Sequence, residues 1–198
     1  MARRVGILLF DDVEVLDLCG PFEVFSVANR VADQQDRARP FEVVLIGVAG
    51  SGPVTARGGM RIAADVALAE APDTDVVLVP GGVVDEVEAR PEVLSWLRRA
   101  RSRAEVVASV CTGAIVLAAA GLLDHRPVTT HWDDLADLRA RWPHLDVRDD
   151  ERFFDHGDVA TSAGISAGID LALHLVGRFG GEDLANATAR RMDYARHS

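Results

Sequence analysis

The sequence predicts an α/β domain with a mostly parallel sheet that helices cover on both faces. Short, continuous apolar runs recur along the chain, and amphipathic runs with helical spacing follow them. Continuous apolar strands are typical of a parallel sheet that is buried on both faces, and their alternation with helices indicates a sheet between helical layers. No linker divides the 198 residues. We therefore predict a single domain over 1–198, which is long enough to bury a sizeable core.

The individual elements follow from the local patterns. Four short, apolar, β-branched runs predict buried strands: 5–10, 41–48, 75–80 and 105–110. Five amphipathic runs predict helices: 20–32, 90–102, 112–123, 131–142 and 167–179. Pro21 and Pro91 suit first-turn positions, where a missing backbone N–H is harmless. A Gly-Gly turn predicts a hairpin over 53–62, and 152–164 is expected to form another strand pair.

The charge of the chain bears on its partners. With 21 basic and 31 acidic residues, the net charge is −10, which favours solubility and disfavours nucleic-acid binding. The basic cluster at 98–103 is interpreted as the solvated end of a helix, since basic side chains suit a helix C-terminus. We expect a small-molecule substrate as the partner rather than nucleic acid or a membrane.

The remaining composition indicates a cytoplasmic protein without a cofactor. The N-terminal apolar run at 5–10 is too short for a secretory signal, and no later run is long enough to span a membrane. Two cysteines do not make a disulfide framework, which fits a reducing compartment. No pair of histidines has metal-ligand spacing, and the segment after 75–80 lacks a dinucleotide fingerprint, so neither a metal nor a cofactor is predicted.

Cys111 is the first candidate for chemistry. It lies between "EVVASV" and "TGAIVLAAAGLL", where a predicted buried strand runs straight into a helix. Such a junction lifts a side chain above the sheet, and helix N–H groups there are expected to lower the pKa of a thiol. A cysteine is also a common small core residue, so a nucleophile and a buried structural cysteine both remain open.

Asp17, His131 and Thr112 are the candidate partners of this thiol. Asp17 lies between leucines after the first strand, where burial would raise its pKa and suit it to proton transfer, although it could also serve as a helix cap. His131 opens a predicted helix and could activate the thiol or be only a polar end group. Thr112 could orient substrate or cap the helix. Glu14 and Glu23 suit the helix surface better.

Three glycines complete the predicted site. The N–H groups of Gly81, Gly82 and the residues at the cysteine junction could hold negative charge that develops on a substrate. Gly113 would allow the strand and the helix to approach closely, and it is included among the substrate-binding residues with Thr112. Cys19 is interpreted as a small buried residue, with a regulatory disulfide as the less favoured alternative.

Four segments together resemble the ThiJ/PfpI superfamily of class I glutamine amidotransferase-like folds. They are "LLFDDVEVLDLCGPFEVF", "VLVPGG", "SVCTGAIVLAAAGLLDHRPVTTHW" and "TSAGISAGIDLALHLV", in family order over essentially the whole chain. They are most similar to the branch that contains isonitrile hydratase and the sensor domains of some AraC-type regulators. The resemblance implies a flavodoxin-like three-layer sandwich and a homodimer. It also implies a nucleophile at Cys111 on a strained elbow, an acidic partner at Asp17 and contributions from Thr112 and His131.

Three functions are compatible with this resemblance. The leading hypothesis is a cofactor-independent hydro-lyase that hydrates an isonitrile to an N-formyl amine through a thioimidate on Cys111, with Asp17 as acid and base. The second is a glyoxalase-like or deglycase-like enzyme for 2-oxoaldehydes, in which His131 would matter more than Asp17. The third is a non-enzymatic module that senses a ligand or an oxidant through Cys111.

Overall fold

A seven-stranded sheet lies between two layers of helices in the computed structural model, which describes residues 1–197. The strands, in chain order, are β1 (Arg3–Leu9), β2 (Phe41–Gly47), β3 (Pro53–Thr55), β4 (Arg61–Ala63), β5 (Val66–Ala67), β6 (Val76–Val79), β7 (Val106–Val110), β8 (Pro127–Val128), β9 (Asp146–Val147), β10 (Phe153–Asp155) and β11 (Val159–Ser162). The helices are α1 (Val15–Gln34), α2 (Asp85–Glu88), α3 (Pro91–Arg101), α4 (Gly113–Ala119), α5 (Leu135–Arg141), α6 (Ala167–Gly180) and α7 (Glu182–Arg191). Two 3₁₀ turns lie at Leu68–Glu70 and Trp132–Asp134.

The strand order of the main sheet is β10-β11-β7-β6-β1-β2-β5. All neighbouring pairs are parallel except β10 and β11, which are antiparallel. The predicted strand pair in 152–164 is therefore confirmed, and it extends the sheet beyond β7. The predicted hairpin in 53–62 is also confirmed as the antiparallel pair of β3 and β4.

The order of the strands explains the two helical layers. The chain passes from β1 to β2 in one direction along the sheet and from β6 to β7 in the other. Crossover connections between parallel strands are right-handed. A helix in a connection that moves one way along the strand order therefore covers one face of the sheet, and a helix in a connection that moves the other way covers the opposite face. Helices α1, α6 and α7 contact one another on one face, and α2, α3 and α4 do so on the other. The direction reverses between β1 and β6, which is where ligands bind in open α/β sheets.

Burial on both faces accounts for the composition of the central strands. Every residue of β6 and β7 is buried, as are the last five residues of β1. Burying one aliphatic side chain contributes about 1.5–3 kcal/mol, so these strands supply much of the core energy. The predicted α/β architecture with a mostly parallel sheet is confirmed. Within 1–197, no helix combines the length and the apolar character that a bilayer crossing requires.

Several predicted helix boundaries were wrong. The first helix begins at Val15 rather than at residue 20, so Asp17 lies in its first turn and Pro21 lies inside it. Pro21 is the seventh residue of α1, so the expectation of a first-turn position is wrong, and the helix lacks the hydrogen bond that an N–H there would make. The run predicted as one helix over 131–142 divides into the 3₁₀ turn Trp132–Asp134 and α5. Helix α7 was not predicted, since its alanine-rich and charged sequence has few large apolar residues.

Candidate active site

The carboxyl ends of the central strands bring the predicted site residues together. Cys111 follows β7, Gly81 and Gly82 follow β6, and Asp17 lies in the first turn of α1 after β1. A cavity of about 420 Å³ opens beside the thiol at this edge of the sheet. Its lining consists of Glu14, Arg57, Gly82, Cys111, Thr112, His131, Asp133, Asp134 and Ile165. The topology therefore brings four predicted residues to one cavity, whereas three others lie outside its lining: Gly82, Cys111, Thr112 and His131 line it, and Asp17, Gly81 and Gly113 do not.

Cys111 occupies a strained elbow between β7 and α4. Its φ of 55° lies in the left-handed region, which costs a residue other than glycine about 1–3 kcal/mol. Hydrogen bonds hold the elbow in place: the Cys111 N–H donates to the carbonyls of Ser162 and Ala163, both at 3.2 Å, and the Thr130 hydroxyl donates to the Cys111 carbonyl at 2.9 Å. The side chain is 6% exposed and lines the cavity rather than the core between strand and helix.

Asp17 is a buried carboxyl group next to this thiol. It is 1% exposed, and its Oδ2 accepts the Gly81 N–H at 3.0 Å. Its Oδ1 is buried as well, and no N–H or O–H group of residues 1–197 is hydrogen-bonded to it. Burial raises the pKa of Asp17 to about 7, against the lowering effect of hydrogen bonds with Gly81 and the Cys111 side chain. The negative charge of Glu14 is a smaller contribution to this raised pKa, in the same direction as burial. Asp17 can therefore hold or release a proton near neutral pH.

The pKa of Cys111 differs from the expectation. Burial, the largest cause, and the charge of Asp17 together raise it to about 12. Hydrogen bonds from the backbone of Ile165 and Thr112 lower the pKa, as expected for an elbow, but they are the smaller effect. The prediction that the helix start lowers this pKa is thus wrong for the free protein, because desolvation outweighs the N–H groups. Formation of a thiolate requires transfer of its proton to a neighbour, and Asp17 is adjacent.

Thr112 and the paired glycines form a hydrogen-bonded unit beside the thiol. The Gly82 N–H donates to the Thr112 hydroxyl oxygen at 2.9 Å, and this hydroxyl donates to the Gly82 carbonyl at 3.0 Å. The Thr112 side chain makes no capping hydrogen bond to α4. A Cβ on Gly81 would lie 2.6 Å from Thr112 Oγ1 and 2.7 Å from Asp17 Oδ2. Glycine at position 81 therefore permits the close packing that supports the acid.

The glycine amides are not free to bind substrate charge in this structure. The N–H of Gly81 donates to Asp17, and the N–H of Gly82 donates to Thr112. Oxyanion binding by these two amides stays a prediction, and it would require that these hydrogen bonds be exchanged for bonds to the substrate. Gly113 serves strand–helix packing, because a Cβ there would lie 2.0 Å from the Val79 carbonyl oxygen.

His131 lines the cavity but does not act on the thiol directly in this structure. It precedes the 3₁₀ turn, and its Nδ1 accepts the Asp133 N–H at 3.3 Å and lies 3.4 Å from Asp134 Oδ2. Its ring packs against Gly164, where a Cβ would lie 2.2 Å from His131 Cδ2. Asp17 shifts the pKa of Cys111, whereas His131 does not contribute to the shift. The buried partner of the thiol is thus the carboxyl group.

Sequence reasoning missed several residues of the cavity. Glu14 had been assigned to a helix surface, yet it lines the cavity 3.9 Å from Arg57. Ile165 approaches the thiol from the loop after β11, with an unusual φ of 35°. Thr130 precedes His131 and was not singled out from the sequence, although its hydroxyl donates a hydrogen bond to the Cys111 carbonyl at the elbow. Both cysteines are free thiols, and Cys19 packs partly buried against the core.

We expect the buried carboxyl of Asp17 to destabilise the fold as pH rises. Its pKa is about 7 in the folded chain against an ordinary value of 3.8, so the folded state retains a proton that the unfolded state releases between these pH values. Stability from this group is therefore full below about pH 4 and declines up to about pH 7, by about 4 kcal/mol in total. D17N removes the effect, so its stability advantage over wild type should grow from pH 4 to 8 in urea denaturation. A constant advantage would contradict the raised pKa.

Comparison with known sequences adds to this geometry. The sequence model of the DJ-1/PfpI family matches residues 3–178. A protein named isonitrile hydratase from Pseudomonas putida is 35% identical over 196 residues, which cover 98% of this chain and 80% of that protein. The HTH-type transcriptional regulator CdhR of Pseudomonas aeruginosa is 32% identical over 185 residues, which cover 93% of this chain and 53% of the regulator. The chain thus resembles roughly half of that regulator.

Solved structures show the same fold. DJ-1beta of Drosophila melanogaster superposes with a TM-score of 0.84 at 20% identity, covering 98% of this chain and 100% of that one. A ThiJ/PfpI family protein from Pseudomonas syringae also gives a TM-score of 0.84, at 24% identity, covering 100% of this chain and 77% of that one. These matches confirm the flavodoxin-like sandwich that the sequence resemblance implied.

Proposed function

This chain belongs to the DJ-1/PfpI family, and on that premise we propose that it is a cysteine-dependent hydratase that converts an isonitrile into an N-formyl amine. The pairing of the Cys111 thiol with the buried Asp17 carboxyl carries the proposal. This pair provides a nucleophile and a proton store side by side at a cavity, which is what hydration of a small electrophilic carbon requires. The similarity to isonitrile hydratase supports this choice of substrate.

The first step adds the thiol across the terminal carbon of the isonitrile. The reactive pair holds one proton: it moves from Cys111 to Asp17, and the sulfur bonds to the carbon. Asp17 delivers the proton to the same carbon, which gives a thioimidate with a carbon–nitrogen double bond. Asp17 is left as a carboxylate. The backbone of Thr112 and Ile165 lowers the pKa of Cys111 and would therefore stabilise the charge of the sulfur during this step.

The second step hydrolyses the thioimidate. The Asp17 carboxylate takes a proton from water while the hydroxide portion bonds to the carbon, and Asp17 then protonates the nitrogen. The tetrahedral intermediate loses its hydroxyl proton to Asp17 and expels the Cys111 sulfur. The products are the N-formyl amine and the pair with its single proton restored. The sum is one isonitrile plus one water, and no cofactor enters.

The glyoxalase-like and sensor functions would use different residues of the site or a different property of Cys111. A glyoxalase-like reaction would rely on His131 for proton transfer, but its Nδ1 is bonded to the Asp133 N–H, and the thiol is coupled to Asp17 instead. A sensor function is favoured by the similarity to HTH-type regulators over most of this chain. The raised pKa of Cys111 disfavours spontaneous oxidation, because the thiolate is the reactive species.

A substrate panel distinguishes these functions. We expect the protein to convert isonitriles to N-formyl amines, to leave 2-oxoaldehydes unchanged, and to lose less activity in H131A than the hundredfold or more typical of a lost general acid or base. Mass spectrometry of the products and of the intact protein measures turnover and any adduct. Turnover of 2-oxoaldehydes alone, with strong loss in H131A, would replace the hydratase with the glyoxalase function. Reversible peroxide oxidation without turnover of either substrate would favour a sensor.

A further inference from the structure

A separate cavity, here called the α3 cavity, lies between α3 and the chain at the ends of β2 and β5. Its volume is about 350 Å³, and none of its lining residues lines the cavity beside the thiol. Helix α3 contributes Trp96 and Arg99 to the lining, and the ends of the two strands contribute Val48, Ala67 and Leu68. Sites for small molecules begin at about 300 Å³ and are mostly apolar with a few placed polar groups, and the α3 cavity meets this description.

The Trp96 indole brings a hydrogen-bond donor without an acceptor to the α3 cavity. The side chain is 9% exposed and packs in the core, where an indole N–H usually finds a partner. Within the part of the chain that the structure describes, this N–H has none. The buried side-chain atoms there that lack a partner and are sealed from solvent are Asp17 Oδ1 and Ser109 Oγ. The Trp96 N–H is therefore still accessible, on a residue that lines the α3 cavity.

Arg99 adds a positive charge that no carboxylate offsets. It follows Trp96 by three residues, so the two side chains are neighbours on the helix surface. The adjacent arginines of the basic cluster are engaged: Arg98 donates to a backbone carbonyl at 3.0 Å, and Arg103 pairs with Asp73 at 2.8 Å. The guanidinium of Arg99, in contrast, makes no hydrogen bond or ion pair with any residue that the structure describes.

A carboxylate on an apolar chain would match both features of the α3 cavity. Its oxygens can accept the planar N–H groups of a guanidinium and of a neighbouring donor. Glu92 also lines the cavity, but Arg90 lies 3.6 Å from it and offsets its charge. An exposed ion pair contributes little by itself, so burial of an apolar chain against Val48 and Leu68 has to supply most of the affinity. The ligand therefore needs an anionic head and an apolar tail together.

From this arrangement we propose that the α3 cavity binds a monocarboxylate with an apolar tail, of the size of a medium-chain fatty acid. The carboxylate pairs with Arg99, and the tail lies against Trp96 and Leu68. This site is distinct from the Cys111 cavity, so the inference does not depend on isonitrile hydration. Octanoate serves as the probe.

The first test compares head groups on the same tail by calorimetric titration of the whole chain. We expect octanoate to bind about fivefold more tightly than 1-octanol at low salt, with a smaller ratio at high salt because exposed charges are screened. Octylamine should bind more weakly than 1-octanol, and acetate, which lacks the tail, should not bind. Equal binding of octanoate and 1-octanol, or tighter binding of octylamine, would overturn the choice of an anionic head.

The second test assigns the residues. We expect R99Q to weaken octanoate binding about fivefold and W96F, which keeps a ring but loses the N–H, about threefold. R61Q is the matched control, because Arg61 is an exposed arginine on β4 that does not line the α3 cavity. Equal losses in R99Q and R61Q would show a general charge effect and overturn the role of Arg99.

A third variant blocks the space without changing charge. Ala69 is exposed and lines the α3 cavity, so A69F should fill it and abolish octanoate binding. Thermal denaturation checks that this variant is folded. Octanoate binding by folded A69F at the wild-type affinity would place the ligand elsewhere and overturn the proposal.

The thiol variant separates this site from the proposed reaction. C111A should bind octanoate as tightly as wild type, and a loss of binding in C111A would place the carboxylate at the thiol instead. Absence of octanoate binding at millimolar concentration would overturn this inference and leave the hydratase proposal intact. Absence of isonitrile hydration with octanoate binding that depends on Arg99 would do the reverse.

Discussion

Replacing Cys111 with alanine should abolish the proposed isonitrile hydration, with kcat/KM reduced at least about a thousandfold. The variant lacks the sulfur that bonds to the substrate carbon, and Asp17 alone can only activate water. Serine is expected to be inactive too, because its hydroxyl is far harder to deprotonate than a thiol that already has a pKa of about 12. The rate of N-formyl amine formation measures the effect directly.

Cys19 supplies the matched control. It is the other cysteine, it packs partly buried against the core, and it does not line the Cys111 cavity. C19S should therefore retain activity and still form an adduct with substrate, whereas C111A forms none. Thermal denaturation of each variant checks that the fold is intact. Hydration by C111A at the wild-type rate would exclude a covalent route through this residue.

The sequence was sufficient for the fold and for the proximity of Cys111 and Asp17 because local signals were strong. The apolar runs that became β1, β6 and β7 have no other stable environment than a sheet buried on both faces. The carboxyl ends of such strands meet at one edge, so Cys111 and the glycines after β6 had to come close. Asp17 was identified by its leucine neighbours, and its burial agrees with that interpretation.

The electrostatics of the site could not be predicted from local sequence. The pKa of Cys111 is raised by its burial in the folded chain and by the charge of Asp17 on another helix, although the elbow alone would lower it. The hydrogen-bond acceptors of the Gly81 and Gly82 N–H groups could not be predicted from local sequence either. A Gly-Gly sequence shows that the backbone can approach closely, but only the fold shows that Asp17 and Thr112 already accept these two hydrogens.

Replacing Asp17 with asparagine should reduce kcat/KM by about 10²–10⁴-fold, because the proton transfers of both steps lose their carrier. In wild type the active form of the pair holds one proton, and at low pH both Asp17 and Cys111 are protonated. Hydration by wild type should therefore rise with pH through about 7, the pKa of Asp17. The residual activity of D17N should lack this rise. A pH profile measured at low substrate concentration reports the free enzyme.

Two features of the site make this experiment specific. The asparagine oxygen can still accept the Gly81 N–H at the position of Oδ2, so D17N keeps the loop in place while it removes the proton carrier. Glu14 offers the complementary change, because its charge raises the pKa of Asp17 and it is not assigned a proton-transfer step in the proposed mechanism. E14Q should therefore shift the pH profile to a lower pKa and preserve kcat on its plateau. If D17N kept the wild-type rate and profile, or E14Q left the midpoint unmoved, the titrating group near pH 7 would be one other than Asp17, and the proton store of the proposed mechanism would have to be sought elsewhere in the cavity.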